Sequence, residues 1–288
     1  MNNKKILIFG STGMLGRYIY NFFNSLDYQV QSLNRSEYDA SDISLRNLLS
    51  IEKIKNLNKG DVIINCIGLL PHVYKDNSIS KKSYEDSIYS KFILANSILP
   101  HNLEKIKIIK SIKVINITSD CVFSGFKGNY SEIDKPDYMW PYGVTKTAGE
   151  CSLICNIRSS IIGEETYNKR ALLEWVISNK NGNINGYTNY LWNGITCLEM
   201  AKLINKLINE NLIWEGTRHV FSPEILSKYE LVCLINKIYD LNISIKKFEL
   251  PDRVDRSLSS IYDINFGIPN LSQQIKELSD FNNEWFSY

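Results

Sequence analysis

A chain of 288 residues whose 33 basic and 31 acidic side chains nearly cancel, to a formal +2, carries no charge block that marks a nucleic-acid or membrane partner. Its 44% hydrophobic and 22% charged composition suits one large or two small globular domains with a sizeable core. The six cysteines (Cys66, Cys121, Cys151, Cys155, Cys197 and Cys233) lack CxxC spacing and His72, His101 and His219 are dispersed, so no metal centre is expected.

Met1 to Lys5 runs straight into an apolar strand without a signal-peptide core, and no apolar run approaches the roughly 18 residues of a membrane span. A cytoplasmic protein with reduced thiols is expected.

Ile6-Leu7-Ile8-Phe9 predicts a short strand. Gly10-Ser11-Thr12-Gly13-Met14-Leu15-Gly16 follows at once and opens an amphipathic helix through Tyr20, Phe22 and Phe23. Between strand and helix, these glycines suit a tight turn, close approach of backbone N–H groups to a pyrophosphate, and phosphate at the helix amino end. A second strand, Val30 to Leu33, ends at Asn34-Arg35, where a fold that prefers NAD places an acid. None stands there. Arg35 could meet the 2'-phosphate of NADP, and a solvated surface arginine fits the residue equally. Asp39-Ala40 is a candidate adenine contact.

Asp61 to Asn65 is a third strand, leading into Cys66-Ile67-Gly68, small enough to pass beneath a cofactor. Lys75 to Lys82 reads as a surface loop, and a helix is expected around Ser90 to Glu104. The buried run Val114-Ile115-Asn116-Ile117 ends at Thr118, so Ser119 emerges at the carboxyl edge of a sheet, where open α/β folds bind ligands. Tyr142 and Lys146 stand four apart on a predicted helix and share a face. A Ser, a Tyr and a Lys converging there suit proton exchange with a carbonyl or carbinol, the lysine lowering the phenol pKa from about 10 and Ser119 holding the reacting oxygen. An exposed Tyr–Lys pair is the bland alternative, and the glycine turn weighs against it.

The active-site helix is expected to continue through Glu150. Ile154 to Ile162 reads as one strand, Ala171 to Ser178 as a short helix, Gly182 to Gly194 as a loop whose Tyr187, Tyr190 and Trp192 suit a substrate-facing segment or a rigid turn cluster, and Leu198 to Leu212 as a helix. Ser227-Lys228-Tyr229-Glu230 is a capping box that opens another. Leu271, Ile275 and Leu278 mark the last, before a terminal cluster of Phe281, Trp285 and Phe286. Trp140 could stack on a substrate ring or cap the active-site helix.

Taken together, the glycine turn, Ser119 and the Tyr142–Lys146 pair resemble the extended short-chain dehydrogenase/reductase superfamily. Thr118-Ser119-Asp120-Cys121-Val122-Phe123-Ser124-Gly125, Gly128-Asn129-Tyr130-Ser131-Glu132, Pro141-Tyr142-Gly143-Val144-Thr145-Lys146 and Gly149-Glu150 are similar to the dTDP-4-dehydrorhamnose reductase family, with weaker similarity from residue 4 to roughly 265. The resemblance implies an α/β fold with a Rossmann-like doubly wound parallel sheet over residues 1–162. A smaller C-terminal substrate-binding lobe over residues 163–288 would be interleaved with it.

It further implies a catalytic triad of Ser119, Tyr142 and Lys146 that reduces the C4 ketone of a dTDP- or UDP-linked, rhamnose-type deoxysugar with NADPH, NADH being the alternative. Gly10, Gly13, Met14, Leu15 and Gly16 would contact the pyrophosphate, Asp39 and Ala40 the adenine, and Cys66, Ile67 and Gly68 would line the cofactor cleft. Lys146 would also hold the nicotinamide ribose, and Arg256 in Arg256-Ser257-Leu258-Ser259-Ser260 would lie near the sugar nucleotide. A homodimer is expected from the same likeness.

One position departs from that pattern: Cys121 stands where these reductases carry Tyr. A thiol there resembles GDP-fucose synthase, in which it epimerises the carbons beside the ketone, whereas a buried inert cysteine is the structural alternative. The histidine that such an enzyme supplies has no counterpart after Gly163, where Glu164 and Glu165 stand. A glutamate after Asp120, as in sugar 4,6-dehydratases, is also missing, which argues against dehydration. The rival readings are a nucleotide-sugar 4-epimerase with tightly held NAD, and a non-catalytic dinucleotide-binding subunit like the regulatory subunit of methionine adenosyltransferase.

Overall fold

The computed structural model describes residues 4–34, 37–39, 44–70, 89–165, 169, 171–263 and 266–285; Arg35, Ala40, Phe286 and the expected loop at 75–82 lie outside the described residues. The apolar runs read from the sequence form strands β1 (Lys5–Phe9), β2 (Gln29–Leu33), β3 (Val62–Asn65), β4 (Lys113–Ile117) and β5 (Cys155–Arg158). Beyond them come β6 (Ile161–Ile162), β7 (Asn183–Tyr187), β8 (Tyr190–Trp192), β9 (Ile195–Thr196), β10 (Gly216–His219), β11 (Leu226–Ser227), β12 (Ser244–Phe248) and β13 (Val254–Asp255). The main sheet is six-stranded and parallel throughout, in the order β10-β5-β4-β3-β1-β2.

Side chains alternate across each strand, which explains the two helical layers. From β1, Ile6 and Ile8 enter one core with Leu15, Tyr18, Ile19 and Phe23 of α1 (Met14–Asn24), while Leu7 and Phe9 enter a second. The second core takes Leu48 of α2 (Leu45–Ser50), Ile54 of α3 (Glu52–Lys55) and Leu99, Leu103 and Ile106 of α4 (Leu99–Lys110). The remaining described helices are α5 (Pro141–Ala148), α6 (Leu172–Ser178), α7 (Cys197–Asn209), α8 (Lys228–Ile238) and α9 (Leu271–Trp285). Because β1 is flanked by β2 on one side and β3 on the other, the strand order reverses between β1 and β3, and a crevice opens there at the carboxyl ends.

A ladder of buried amides crosses the middle of the sheet. Asn65, Asn116 and Asn156 are in register on β3, β4 and β5; Asn65 Nδ2 donates to Asn116 Oδ1 at 2.9 Å and Asn116 Nδ2 to Asn156 Oδ1 at 3.0 Å. Asn65 Oδ1 in turn accepts from Ile67 N at 3.2 Å, so the ladder also orients the loop after β3.

Four expectations need correction. The run from Ile154 to Ile162 divides after Arg158, because Ser159 O accepts from Asp120 N and Ser160 O from Ile195 N, and the chain then pairs with β9 instead of β4. Helix α5 stops at Ala148 and not at Glu150, since Gly149 lies so close to Asn96 that an added Cβ would sit 2.0 Å from its carbonyl oxygen. Gly182 to Gly194 is not a loop: β7 pairs with β12, and β8 with β11 and β13. Its glycines mislead as turn signals, because Gly186 sits within a strand beneath the ring of Tyr229. The helix expected to end at Glu104 runs on to Lys110, where Ser111 turns left-handed at φ 54°, and it passes through a π-helical stretch at Ile93–Ile98.

Candidate active site

The glycine turn sits on the crevice. Gly10 has φ +76° and its carbonyl accepts from Gly13 N at 3.0 Å; a Cβ on Gly16 would stand 2.0 Å from that same oxygen, so only glycine lets α1 start this close to β1. Gly13 is the N-cap of α1 and no side chain caps the helix, which leaves its first N–H groups and the positive end of its dipole for an anion such as a pyrophosphate. Met14 is half-buried at the helix start, whereas the Leu15 side chain packs in the core, so only its backbone is available to a ligand. Asp39 is exposed, and Glu37, two residues beyond Arg35, is tied to Lys53 at 2.5 Å.

Across the crevice Cys66 N donates to Phe9 O at 3.0 Å, and burial pushes the Cys66 thiol up to about 12 against the pull of Lys146. Ile67 and Gly68 follow. A Cβ on Gly68 would lie 3.0 Å from Lys146 Nζ, so a glycine there leaves room for the ammonium.

Ser119, 8% exposed, ends the buried run of β4 and caps a short 3₁₀ turn, Asp120–Val122, by accepting from Cys121 N at 3.0 Å. Its hydroxyl donates to Asp120 Oδ1 at 3.4 Å and lies beside Tyr142. What sets that pair is the seat of α5: a Cβ on Gly143 would stand 2.7 Å from Cys121 O and 2.9 Å from Tyr138 O, so glycine after Tyr142 lets the helix rest on the turn that carries Ser119. Asn96 and Ser97 hold the other side of α5 through Thr145, at 3.2 and 2.7 Å.

Lys146, 6% exposed, donates through Nζ to Ile117 O at 3.1 Å and to Ile67 O at 3.4 Å. Burial pulls its ammonium down to about 8, with Glu150 and then Cys66 opposing. Burial pushes the Tyr142 phenol well above its ordinary value, Cys121 and Asp120 reinforcing the rise and Ser119 resisting it. That corrects the expected direction: Lys146 is not among the groups acting on the phenol, which keeps its proton.

Around Cys121 the fold gathers residues far apart in sequence. Arg256 Nη1 reaches Cys121 Sγ and Tyr190 Oη, both at 3.5 Å, and its guanidinium lies over the Tyr138 ring at 4.9 Å. Its segment is fastened to the 125–130 turn by Asp255 N to Gly125 O at 2.7 Å and Tyr130 N to Ser257 O at 2.9 Å. Burial, helped by Asp120, pushes the Cys121 thiol up to about 12, so it is a thiol and not a thiolate. Lys228 of α8 lies over the rings of Trp192 and Tyr190. Tyr138 and Lys228 went unidentified as site residues, although the capping box that starts α8 was visible in sequence; Tyr190 stands in the aromatic-rich stretch 182–194 that the sequence offers as substrate-facing.

A charged brace lies behind the strand ends. Glu150 accepts from Thr118 Oγ1 at 2.8 Å and forms a buried ion pair with Arg158, whose guanidinium covers Phe123 and donates to His219 Nε2 at 3.0 Å. His219 therefore carries its proton on Nδ1, which faces Ser259 O at 2.8 Å. Trp140 is the N-cap of α5 and 57% exposed at its mouth. His101 meets Glu104 and Cys151, their donor atoms within 4.8 Å of one another. Those groups fasten α4 to the turn after α5, through His101 to Ala148 O at 2.9 Å and Glu104 to Leu153 N at 2.8 Å.

All six cysteines are free, and among the described residues no helix is long and apolar enough to cross a membrane. The chain is 24% identical to subunit beta of methionine adenosyltransferase 2 from Bos taurus over 83% of its own length and 73% of the relative's. Its fold is similar to that of a dTDP-4-dehydrorhamnose reductase from Bacillus anthracis solved in complex with NADP, with a TM-score of 0.76 at 18% identity over 97% of this chain and 99% of that one. A dTDP-4-dehydrorhamnose reductase from Clostridium acetobutylicum matches with a TM-score of 0.74 at 19% identity, over 96% and 99% of the two chains. The family model for the RmlD substrate binding domain matches residues 4–162, more than half of the chain, and spans the glycine turn, Ser119, Tyr142 and Lys146: the protein belongs to that family of extended short-chain dehydrogenase/reductases.

Proposed function

We propose that this protein is an NADP-dependent reductase of the C4 ketone in a nucleotide-linked 4-keto-6-deoxy sugar, dTDP- or UDP-linked and rhamnose-type. The observation that carries the reading is the placing of Ser119 beside Tyr142 at the carboxyl edge of β4, with the Lys146 ammonium pinned to the same strand end. The uncapped turn at Gly10, Gly13 and Gly16 suits the pyrophosphate of the dinucleotide, and Lys146 beside Gly68 suits its ribose. NADPH, when bound, supplies the hydride to C4. Tyr142, held protonated by burial, gives its proton to the ketone oxygen, and Ser119 donates a hydrogen bond to that oxygen and keeps it in line.

Residues 1–162 hold the cofactor in this reading and residues 163–288 most of the substrate lobe, in a cytoplasmic homodimer. An added C3 or C5 epimerisation through Cys121 is disfavoured by the rise of its thiol to about 12. A second reading, a dinucleotide-binding subunit that regulates a partner enzyme, draws on the likeness to subunit beta of methionine adenosyltransferase 2.

The test is NADPH oxidation with dTDP- and UDP-linked 4-keto-6-deoxy sugars, with and without a separate 3,5-epimerase. Turnover that requires the epimerase supports a plain reductase. Turnover without it that disappears in Cys121→Ser establishes the bifunctional form, and no turnover with any sugar moves the weight to the regulatory subunit.

A further inference from the structure

His101, Glu104 and Cys151 meet at the seam between α4 and the turn that follows α5, and share no residue with the reaction centre. His101 and Glu104 stand three apart on α4, the spacing that puts two side chains on one helix face, and Cys151 comes from the turn opposite. One ring nitrogen, one carboxylate oxygen and the sulfur lie within 4.8 Å of one another. The ligands of a four-coordinate zinc, each about 2.0–2.3 Å from the metal, are about 3.5 Å apart, so closing the three around an ion takes a movement of about 1 Å.

Each of the three is already aimed by a backbone group. His101 Nε2 lies 2.9 Å from Ala148 O, so that nitrogen carries the proton of the neutral ring and the other keeps its lone pair. Glu104 Oε1 accepts from Leu153 N at 2.8 Å, which leaves the second carboxylate oxygen for a ligand. The Cys151 thiol donates to Gly149 O at 3.5 Å. A carbonyl on one nitrogen of an imidazole, and a donor on one oxygen of a carboxylate, are the outer partners that orient ligands around a bound metal.

Burial is graded in the way a metal site requires. His101 is exposed and gives an ion access from water, Glu104 is half-buried, and Cys151 is 4% exposed. Burial, helped by the Glu104 carboxylate, pushes the Cys151 thiol up to about 12, so the sulfur holds its proton until a cation replaces it. One thiolate and one carboxylate then cancel both positive charges of a divalent ion, which leaves the half-buried complex neutral. Sulfur, imidazole nitrogen and carboxylate together disfavour magnesium and calcium, which take oxygen ligands, and suit zinc.

We propose that His101, Glu104 and Cys151 form a zinc site, with water in the fourth position, that clamps α4 to the turn after α5. On binding, the Cys151 S–H bond breaks, a Zn–S bond forms and the proton passes to solvent, with no change of oxidation state. Ala148 ends the helix that carries Tyr142 and Lys146, so the ion steadies that helix at its carboxyl end.

The test uses Co²⁺ as the probe on the full chain, stripped of metal by a chelator. One Co²⁺ per chain should bind and give the near-ultraviolet thiolate-to-cobalt band with the intense visible bands of a tetrahedral ion; Zn²⁺ should bleach them and Mg²⁺ should not. Cys151→Ser should lose the thiolate band, and His101→Ala should weaken Co²⁺ at least about tenfold. Zn²⁺ at about a hundred times its dissociation constant should raise the unfolding midpoint of the wild type by about 4 °C, and that of His101→Ala by at most about half as much. A wild type without the thiolate band overturns the proposal. So does a band of equal strength and affinity in Cys151→Ser, which would place the metal on another of the six free cysteines. Should Cys151→Ser fail to fold, an unchanged Co²⁺ titration in His101→Ala, whose side chain is exposed, overturns it equally. Neither result bears on the reductase reading, because NADPH oxidation does not pass through this site.

Discussion

Lys146 Nζ donates to Ile117 O at 3.1 Å, which ties the ammonium to the strand end that presents Ser119. Because burial pulls this ammonium down to about 8, its charge is lost as pH rises through that value. NADPH affinity, followed by nicotinamide fluorescence, should therefore fall above pH 8, and Lys146→Met should bind about tenfold more weakly with no such limb. The linked stability effect has a definite sign. The folded pKa lies below the ordinary 10.5, so between about 8 and 10.5 the folded protein binds fewer protons than the unfolded chain, and this group makes stability rise with pH across that window. A flat NADPH profile from pH 7 to 10 would contradict the assigned role.

Gly143→Ala places a Cβ 2.7 Å from Cys121 O and 2.9 Å from Tyr138 O, both backbone atoms that cannot rotate away. Helix α5 must lift, carrying Tyr142 off Ser119. The expected outcome is a destabilisation of about 1–3 kcal/mol in denaturant melts, and a loss in kcat/KM larger than the loss in NADPH affinity.

Cys121 should alkylate slowly. With its thiol at about 12, iodoacetamide at pH 7.5 finds almost no thiolate, and mass spectrometry of the modified peptide should show a rate that climbs steeply only above pH 9. Fast alkylation near neutrality would reopen an acid–base role for this residue.

Glu150→Ala leaves Arg158 buried without its partner and frees Thr118 beneath Ser119. A loss of about 3–5 kcal/mol is expected, measured by urea unfolding, and Glu150→Gln should lose less because it can still accept from Thr118.

The parts of this site that sequence reveals are those whose geometry is local. Gly10 to Gly16 states its own turn, Ser119 follows a run too apolar to be anything but a buried strand, and Tyr142 and Lys146 share a helix face by spacing alone. Lys228 shows where the other parts hide: its capping box was legible, but the direction in which α8 points depends on β8, β11 and β13, whose short paired segments carry no pattern of their own. Likewise Glu150 looked like a helical residue because nothing local records that Arg158 and Thr118 claim it. The direction of the Tyr142 shift was missed for a related reason, since spacing puts Lys146 on the same face without showing that its ammonium is spent on two backbone carbonyls. The sixth strand, β10, was missed too: Gly216–His219 becomes a strand only by pairing with β5.

The most direct test is the fate of deuterium from NADPH labelled at C4 of its nicotinamide ring, offered with a dTDP- or UDP-linked 4-keto-6-deoxy sugar. The account predicts deuterium at C4 of the sugar with wild-type protein and a rate at least about 100-fold lower in Tyr142→Phe, which should still bind NADPH. Label at C4 formed equally fast by Tyr142→Phe, or no label with any sugar by a wild type that binds the cofactor, would contradict it.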